Sequence, residues 1–580
     1  MPVEAHWISV SDLQRRLAQK ATEEPEHRFG GLYDLLTWEP VLDEAATRLL
    51  AHKGSRTPGL DRLDRRGLLE HREYHQARLQ QQLREGTFQP HPVKRIYIPK
   101  KNGKMRPLGI PTLYDRWVQM AIKLVLEPIF ESDFLDFSHG FRPRRSAHTA
   151  MAHAVRLTTI RKRKAYWVIE GDIEGFFDHV HHRKLMSLLR RRIQDKQLLE
   201  LIWRFLRAGL MDEGLFTRTK EGTPQGGVLS PLLANIYLNR FDHWFAERAM
   251  LGNGHARTRH RQAGHANFQM VRYCDDFLVF SNGTKLETEA FKVEMKVWLA
   301  DELKLTLSED KTAITHYTDG VNFLGFTLKK TPSLRSGEEV VVHYPSTESV
   351  QRAIRHITDL TGRTDVFKSR EDKIEALNHF LRGWGEYFRH ASASRQLSYV
   401  EHHTYLRMWK WLVEKEGVQH GWRRIKAKDE KDHTWQVGTH RLFRLKELKI
   451  EYPTFTKQPN PFLGRQPVPE PEVSDLYAAA WTGHHRYGED WKPARDAAWA
   501  HTEGRCAICS EAAEDVHHLK AKIAGGGNVS TNLVPLCHLH HQEAGRRNSA
   551  VSQQLHQKTK PDSGELGARK RARPVRGEGL

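Results

Sequence analysis

Residues 271–280 read VRYCDDFLVF, in which two adjacent carboxylates, Asp275 and Asp276, interrupt an apolar run. Burying an unpaired charge costs on the order of several kcal/mol, so the pair requires a physical reason. Adjacent residues of a regular strand face opposite sides, and both acids can therefore serve one site only at a turn or a strand end. The apolar flanks predict two strands with the acids at the tip of a hairpin. The alternative is a solvated hairpin turn with no chemical role.

A third carboxylate, Asp172, follows the predicted strand AYWVIEG and precedes Phe176 and Phe177. Three carboxylates that lie near one another repel strongly and require cations. Two magnesium ions ~4 Å apart would satisfy them and would support phosphoryl transfer. One ion would activate an attacking 3′-hydroxyl, and the other would stabilise the leaving pyrophosphate oxygen.

The composition indicates several domains and a polyanionic partner. The chain has 580 residues, too many for one hydrophobic core. Lys plus Arg outnumber Asp plus Glu by 91 to 71, which gives a net charge of +20. Nucleic acid is the commonest partner of such a chain, and a merely basic surface is the alternative. Because no apolar run could cross a bilayer and residues 1–20 lack a secretory pattern, we expect a cytoplasmic protein with no membrane partner.

The residue patterns predict a mixture of strands and long helices, which favours an α+β catalytic region over about 50–330. The stretch KRIYIPKKNGKMRPLGIP at 94–111 predicts a basic hairpin with an Asn-Gly turn. Residues 345–425 predict helices, the Pro-rich stretch 456–472 a linker, and the basic tail disorder. The other predicted elements are helices over 1–50 and up to about 131, a loop at 56–64, a strand that turns helical at 165–180, a loop and helix at 222–241, and a helix followed by strands at 291–328.

A Cys/His module lies late in the chain, where CAIC at 506–509 precedes VHHLKAKIAGGGNVSTNLVPLCHLHH at 516–541. The chain has only four cysteines and three cluster here, which favours metal binding over a disulfide framework. Structural zinc contributes on the order of 10 kcal/mol to the folding of such small units. The ligands that this spacing indicates are Cys506, Cys509, Cys537 and His540, with His538 as a rival to His540. A zinc-stabilised binding knuckle without catalysis is the alternative.

These motifs resemble those of a known family. VRYCDDFLVF resembles the YxDD signature of reverse transcriptases, and GDIEGFFD at 171–178 resembles their first catalytic motif. GTPQGGVLSPLLANIYL at 222–238 is similar to the Gln-Gly loop of the bacterial, intron-encoded branch. KKNGKMRPLGIP, LTLSEDKT and NFLGF occur in the family's order, and NHFLRGWGEYFRH at 378–390 resembles the maturase segment of group II intron proteins. The resemblance covers about residues 50–545.

The resemblance implies a multidomain α+β fold with right-hand polymerase fingers and palm, an α-helical thumb or maturase domain, and a small zinc-stabilised ββα-metal (HNH) module. The expected domains are an N-terminal helical extension at 1–55, fingers and palm at 56–335, the thumb or maturase (X) domain at 345–425, a DNA-binding region and linker at 426–495, the HNH endonuclease at 496–550, and a disordered basic tail at 551–580.

The resemblance also implies roles for the acids. Asp172, Asp275 and Asp276 would hold two Mg²⁺ ions, with the backbone carbonyl of Ile173 as a further ligand. Phe177 lies five residues past the first acid, where the family has its steric gate against the 2′-hydroxyl. An ordinary core position is the alternative for Phe177.

Further residues would contact the nucleotide. Gln225 would touch the incoming dNTP and the template, beside a Gly226–Gly227 turn that permits close backbone approach. Lys104 and Arg106 would neutralise the triphosphate, for which Arg offers a bidentate contact. Lys311 would lie near the leaving pyrophosphate as a proton donor, unless it is an ordinary surface lysine.

The order HH…N…H of the Cys/His module is similar to that of HNH nucleases. His518 would be the general base that activates water, since neutral imidazole suits that task near pH 7. His517 and His541 would bind one divalent ion, Mg²⁺ or Mn²⁺, and Asn532 would orient the His518 ring. Related modules often have a second Cys-x-x-Cys before the last His, whereas this chain reads CHLHH.

Together these motifs predict a group II intron-encoded multifunctional enzyme. It would bind its intron RNA in a ribonucleoprotein, assist splicing, nick target DNA and prime reverse transcription there with dNTPs, associating with the nucleoid when it acts on DNA. Two alternatives are a bacterial defence-type reverse transcriptase and a splicing maturase with a relic polymerase.

Overall fold

The protein was analysed as a computed structural model. It describes residues 9–99, 105–159, 166–212, 215–217, 221–223, 226–249, 254–333, 337–363, 366–416, 428–429, 434–464, 468, 515–518 and 533–536. The chain divides into two compact units. The first comprises residues up to 349, residues 388–393 and the described part of 450–481. The second comprises residues 350–387, 394–449 and the described part of 482–580.

Helices and strands alternate irregularly along the chain, as in a mixed α and β protein. The helices are α1 Val10–Glu23, α2 Leu32–Leu36, α3 Glu39–Ala51, α4 Arg65–Glu70, α5 Arg72–Arg84, α6 Leu113–Glu131, α7 Ala147–Thr159, α8 His182–Arg192, α9 Lys196–Leu206, α10 Ser230–Ala249, α11 Gly254–Gln262, α12 Lys285–Leu303, α13 Thr347–Leu360, α14 Arg370–Phe388 and α15 Ser394–Glu416. The strands are β1 Val93–Pro99, β2 Met105–Ile110, β3 Trp167–Gly171, β4 Leu210–Asp212, β5 Leu215–Thr217, β6 Phe268–Tyr273, β7 Asp276–Ser281, β8 Ala313–His316, β9 Val321–Phe323, β10 Phe326–Pro332, β11 Glu339–Pro345, β12 Lys428–Asp429, β13 Thr434–Val437, β14 His440–Arg441, β15 Asp515–His518 and β16 Leu533–Leu536.

The central sheet of the first unit has the strand order β6-β7-β3-β8. All neighbouring strands in it are antiparallel, and β3 pairs with β7 from Trp167↔Ser281 to Gly171↔Phe277. Both faces of β3 are covered, because Val168 and Ile169 are each fully buried. This burial explains why the sequence around β3 and β7 is apolar rather than alternating.

Helices cover this sheet and build one continuous hydrophobic core. Helix α6 is buried along almost its whole length, and Thr112 caps its first turn by accepting a hydrogen bond from the backbone N–H of Asp115 (3.1 Å). The indole of Trp117 donates to the carbonyl of Leu42 (2.7 Å) and so joins α6 to α3. The same core continues to Tyr237 on α10 and Phe277 on β7. The central sheet therefore rests on a rigid helical layer.

A second sheet carries the basic hairpin predicted at 94–111. Strands β1 and β2 are antiparallel from Lys94↔Ile110 to Pro99↔Met105, which confirms the hairpin, although the Asn-Gly turn lies outside the described residues. The sheet order is β2-β1-β4-β5, with β1 parallel to β4.

The second unit is built from α13, α14 and α15 together with the small sheet β12-β13-β14. Gly385, in the GWGEYF stretch, has no room for a side chain, since an added Cβ would lie 2.5 Å from Cδ1 of Leu448. Trp435 stacks on Tyr405 of α15 at 5.1 Å between ring centroids and donates its indole N–H to the Tyr405 carbonyl (3.1 Å). The helical prediction for 345–425 is confirmed over its described residues.

Three local predictions differ from the structure. The segment after β3 forms only a short 3-10 turn, Phe176–Asp178, because Gly175 with φ of 52° interrupts the helix. LTLSEDKT is not a strand but an irregular segment with one bridge, Ile173↔Leu307, and β8 follows it. NFLGF contains a tight turn between β9 and β10, where Gly325 has φ of 82°.

The predicted linker is also different where it is described. Phe462 is buried against Ala18 of α1, and Asn460 donates to the hydroxyl of Ser132 (3.0 Å). Phe455 stacks on His153 at 3.9 Å. Residues 455–462 thus pack on the first unit, because apolar side chains among the prolines provide surface to bury.

The late module is described only by β15 and β16, which are antiparallel from Asp515↔Leu536 to His518↔Leu533. No helix in the described parts of the chain is long and apolar enough to cross a membrane.

Candidate active site

The two adjacent acids lie at the tip of the β6–β7 hairpin, as the sequence predicts. Tyr273 pairs with Asp276, so Cys274 and Asp275 form a two-residue turn. On the other side of β7, Gly171 pairs with Phe277, which places Asp172 next to Asp276 at the same edge of the sheet. The charges of Asp172 and Asp275 both act on Asp276. Three carboxylates from distant parts of the chain therefore meet at one place.

A lysine contacts this group of acids. The Nζ atom of Lys311 lies 2.8 Å from Oδ2 of Asp172, to which it donates a hydrogen bond. The bond to Asp172, with the charges of Asp276 and Asp275, raises the pKa of Lys311. Backbone pairing brings the lysine there, since Ser308 N–H donates to the Asp172 carbonyl (2.9 Å).

The bridge to residue 307 also orients Ile173. The bridge has two hydrogen bonds. Ser308 N–H donates to the Asp172 carbonyl, and Glu174 N–H donates to the Thr306 carbonyl. The carbonyl of Ile173 therefore faces away from this pairing. The Ile173 side chain is buried in the core.

The ionised form of Asp276 is unfavourable at this site. The side chain of Asp276 is exposed, yet its pKa is raised to about 7. The largest cause is desolvation by the surrounding protein, followed by the negative charges of Asp275 and Asp172, while Lys311 opposes the rise. Near neutral pH a proton or a cation is therefore needed at this edge of the sheet.

The described residues contain no cluster of three or more His, Cys, Asp or Glu side chains in a metal-binding arrangement. The donor set nevertheless suits Mg²⁺, which prefers carboxylate oxygens. The ammonium group of Lys311 already lies on Asp172 as a stand-in cation, and the raised pKa of Asp276 reflects charge that a second cation would neutralise.

Phe177 lies in the 3-10 turn that follows β3, five residues after Asp172. Its ring is partly buried and meets Phe176 at 5.3 Å and Phe141 at 6.5 Å, both edge-on. Its carbonyl accepts a hydrogen bond from Thr223 N–H (2.7 Å), so the start of the Gln-Gly loop lies against it.

The Gln-Gly loop approaches the basic hairpin closely. Gly226 has φ of 116°, and a Cβ there would lie 2.4 Å from the carbonyl oxygen of Gly109 on β2. Only glycine fits this position, as the sequence predicts. Gly227 is buried. Gln225 and Lys104 lie outside the described residues, and Arg106 is described only as backbone in β2.

Few of the predicted nuclease and zinc residues can be located. His517 and His518 belong to β15. The other predicted positions lie outside the described residues: Cys506, Cys509, Asn532, Cys537, His538, His540 and His541.

Sequence reasoning missed a buried ion pair beneath the hairpin. Arg272 of β6 and Asp242 of α10 are both fully buried and lie 2.5 Å apart. The signal was present in the quoted stretch, because an arginine inside an apolar strand requires a buried partner.

Comparison with known proteins agrees with this geometry. Residues 98–328 match the family described as reverse transcriptase (RNA-dependent DNA polymerase), and residues 350–435 match the maturase-specific domain of group II introns. The chain thus combines a reverse transcriptase domain with a maturase-specific domain.

Curated relatives identify the family. The chain is 42% identical to protein YkfC of Escherichia coli over 373 residues, which cover 62% of this chain and 98% of that protein. It is 35% identical to the group II intron-encoded protein LtrA of Lactococcus lactis over 364 residues, 54% of this chain and 59% of LtrA. It is 22% identical to nuclear intron maturase 1 of Arabidopsis thaliana, of which it matches 53%. The chain belongs to the group II intron-encoded proteins.

Proposed function

We propose that this chain is an RNA-directed DNA polymerase that uses dNTPs on an RNA template. The observation that carries the proposal is the meeting of Asp172, Asp275 and Asp276 at one edge of the central sheet, with Lys311 on Asp172. Such a set of acids has little use in a fold except to hold cations, because it destabilises the protein without them.

Asp172, Asp275 and Asp276 would hold two Mg²⁺ ions, with the Ile173 carbonyl as a further ligand. When bound, the ions supply activation of the primer 3′-hydroxyl and neutralisation of the leaving pyrophosphate. Lys311 is within reach of the same acids and would donate a proton or a hydrogen bond to the leaving group.

The remaining polymerase roles concern nucleotide choice and position. Phe177 would exclude the 2′-hydroxyl, since it lies five residues past Asp172 in the turn that follows β3. Gln225 and Gly226 would lie against the nucleotide, and Lys104 and Arg106 would meet the triphosphate.

The second proposed activity is assistance of intron RNA splicing. The maturase-specific domain and the net charge of +20 support an RNA partner. Helix α15 also exposes Tyr399, Leu406 and Trp409, of which the two aromatic rings could stack on unpaired bases.

The third proposed activity is nicking of target DNA by a module at 496–550, with zinc at Cys506, Cys509, Cys537 and His540. His518 would be the base, His517 and His541 would bind Mg²⁺ or Mn²⁺, and Asn532 would orient His518. The Cys/His spacing and the pairing of β15 with β16 support this ββα-metal assignment. A nick made by the same chain would supply the 3′-hydroxyl for target-primed reverse transcription.

The domain limits that we propose remain 1–55, 56–335, 345–425, 426–495, 496–550 and 551–580. A defence-type reverse transcriptase should lack the maturase domain, and a relic polymerase should lack one of the acids. Both features are present in this chain, so neither alternative is favoured.

Primer extension on an RNA template with dNTPs and magnesium tests the polymerase proposal. Asp275→Asn should abolish extension, and Asp301→Asn should not, because Asp301 lies exposed on α12. The Asp275→Asn protein should still assist splicing of the intron RNA near the wild-type level, since the maturase-specific domain is separate in sequence from the reverse transcriptase domain. Full extension by Asp275→Asn would refute the assignment of the acids.

A further inference from the structure

A fully buried arginine lies directly beneath the hairpin that carries the acids. The Nε atom of Arg272 donates to Oδ1 of Asp242 (2.7 Å), and Nη2 donates to Oδ2 (2.5 Å). Both side chains have no exposed surface. The pair joins β6 to α10 in the fork-to-carboxylate geometry that fixes both groups in one orientation.

The rest of the guanidinium is bonded to the catalytic turn and its neighbours. Nη1 donates to the carbonyl of Cys274 (2.8 Å) and more weakly to Oδ1 of Asn235 (3.4 Å), and Nη2 also donates to the hydroxyl of Ser138 (2.6 Å). An arginine has five N–H groups, and each of them finds an acceptor here. One of these acceptors is the main chain of the turn that presents Asp275.

That turn needs support from outside. Cys274 is the first residue of this two-residue turn and has φ of 59°, in the left-handed region that residues other than glycine rarely adopt. Glycine is the usual first residue of such a turn, and a side chain there is strained. The Cys274 carbonyl belongs to the peptide that joins Cys274 to Asp275, so a hydrogen bond to it constrains the centre of the turn.

The same network holds the surface against which the turn packs. The side-chain amide of Asn235 donates to the carbonyl of Gly140 (2.8 Å). A Cβ at Gly140 would lie 2.4 Å from both the N and Sγ atoms of Cys274. The segment 137–139 is also hydrogen-bonded to the backbone of Arg272. Arg272 N–H donates to the Phe137 carbonyl (2.8 Å), and His139 N–H donates to the Arg272 carbonyl (2.8 Å).

We infer that Arg272 is a positioning residue of the polymerase site: through its bond to the Cys274 carbonyl it holds the strained turn so that Asp275 and Asp276 face Asp172. Asp242 is the counter-charge that keeps the guanidinium in place. Replacing a buried ion pair with apolar residues often leaves stability unchanged, so stability alone does not require this pair. The inference rests on the proposed polymerase function.

The test compares charge-free replacements of two ion pairs in the full chain, one fully buried and one in which the aspartate is 24% exposed. The double variant Arg272→Met, Asp242→Leu removes the bond to the turn without leaving an unpaired charge. The control is Arg192→Met, Asp133→Leu, because Arg192 pairs with Asp133 (3.2 Å) and donates to the carbonyl of Ala21 (2.9 Å), not to the hairpin. Arg272→Lys is the backup variant, since lysine keeps the charge but lacks the planar fork.

Each variant is first checked by circular dichroism, and three measurements are made on those whose spectrum matches that of the wild-type protein. Amide hydrogen exchange of residues 271–277 should speed up about tenfold or more in the Arg272 variants only. Binding of Mn²⁺ without substrate, followed by electron paramagnetic resonance, should weaken about tenfold because the acids are no longer aligned. In primer extension, kcat should fall about 10- to 100-fold while KM for dNTP changes less than about threefold.

A folded Arg272 variant with unchanged exchange, Mn²⁺ affinity and kcat would overturn the inference. Equal losses in the control pair would overturn it too, because the effect would then be general destabilisation. Failure of the proposed polymerase function is distinguishable: the wild-type chain would then not extend a primer, whereas the exchange comparison would still report on the turn.

Discussion

Removing one of the three proposed catalytic acids should stabilise the metal-free protein while it destroys activity. In Asp276→Asn the amide keeps the shape of the side chain but carries no charge, so the repulsion from Asp275 and Asp172 disappears. The pKa of Asp276 rises from 3.8 to about 7, which at ~1.4 kcal/mol per pKa unit corresponds to about 4 kcal/mol. Desolvation is the largest cause of this shift and the repulsion follows it; because the side chain is exposed, water weakens both, so we expect a gain of about 1–2 kcal/mol.

The gain should depend on pH in a defined window. Because the pKa of Asp276 is higher in the folded state, the folded protein holds a proton that the unfolded chain has lost between pH 3.8 and about 7. This group's contribution to stability therefore falls as pH rises through that window, and the penalty is complete above it. The advantage of Asp276→Asn should be near zero at pH 4 and largest at pH 8.

Thermal unfolding in EDTA at pH 8 measures the effect. Asp276→Asn should melt roughly 2–4 °C above the wild-type protein, and magnesium should raise the melting temperature of the wild type more than that of the variant. Asp301→Asn, which removes an exposed charge on α12, is the control and should not change it. An Asp276→Asn protein that melts at or below the wild-type temperature in EDTA would refute the reasoning about mutual repulsion.

Three further predictions concern the other proposed roles. Phe177→Ala should raise incorporation of ribonucleotides relative to dNTPs by about 10- to 100-fold, which single-nucleotide extension measures, and an unchanged ratio would assign Phe177 to packing alone. His518→Ala should stop DNA nicking while primer extension persists, and residual nicking at the wild-type rate would exclude His518 as the base. RNA affinity should fall steeply between about 50 and 200 mM salt in filter binding, since cationic side chains displace counterions; a flat response would leave the charge of +20 without a role.

Local sequence patterns were sufficient for the hairpin and for the position of Asp275 and Asp276 at its tip. Strand periodicity does not permit Asp275 and Asp276 on one face, so a turn or a strand end was required there, and the structure has Asp275 in the turn and Asp276 at the start of β7. Gly226 was predicted from the same kind of argument, because only a residue without Cβ tolerates φ of 116° against the backbone of Gly109.

Long-range contacts were not accessible from the sequence. The pairing of Lys311 with Asp172 depends on the bridge between residues 173 and 307, which no local pattern encodes. The prolines at 456–472 favoured a linker, yet Phe462 is buried against Ala18 of the first unit and the preceding Phe455 stacks on His153. Composition describes what a segment prefers alone, whereas burial depends on the surfaces that the rest of the chain presents.

The buried pair and the exposed acids are two parts of one physical problem. The acids repel one another when no cation is present, and a turn held only by its own strained backbone would relieve that repulsion by moving them apart. Arg272 bonds to the main chain of the turn from inside the core, where neither water nor a substrate reaches it. Its charge is balanced by Asp242, so it holds the turn without neutralising the acids that the cations must find. Lys311 contacts the same acids from the exposed side, where it can leave Asp172 when a cation arrives. Arg272 as a fixed support beneath the turn and Lys311 as a displaceable cation above it would together allow the folded protein to hold the three acids close to one another before metal ions bind.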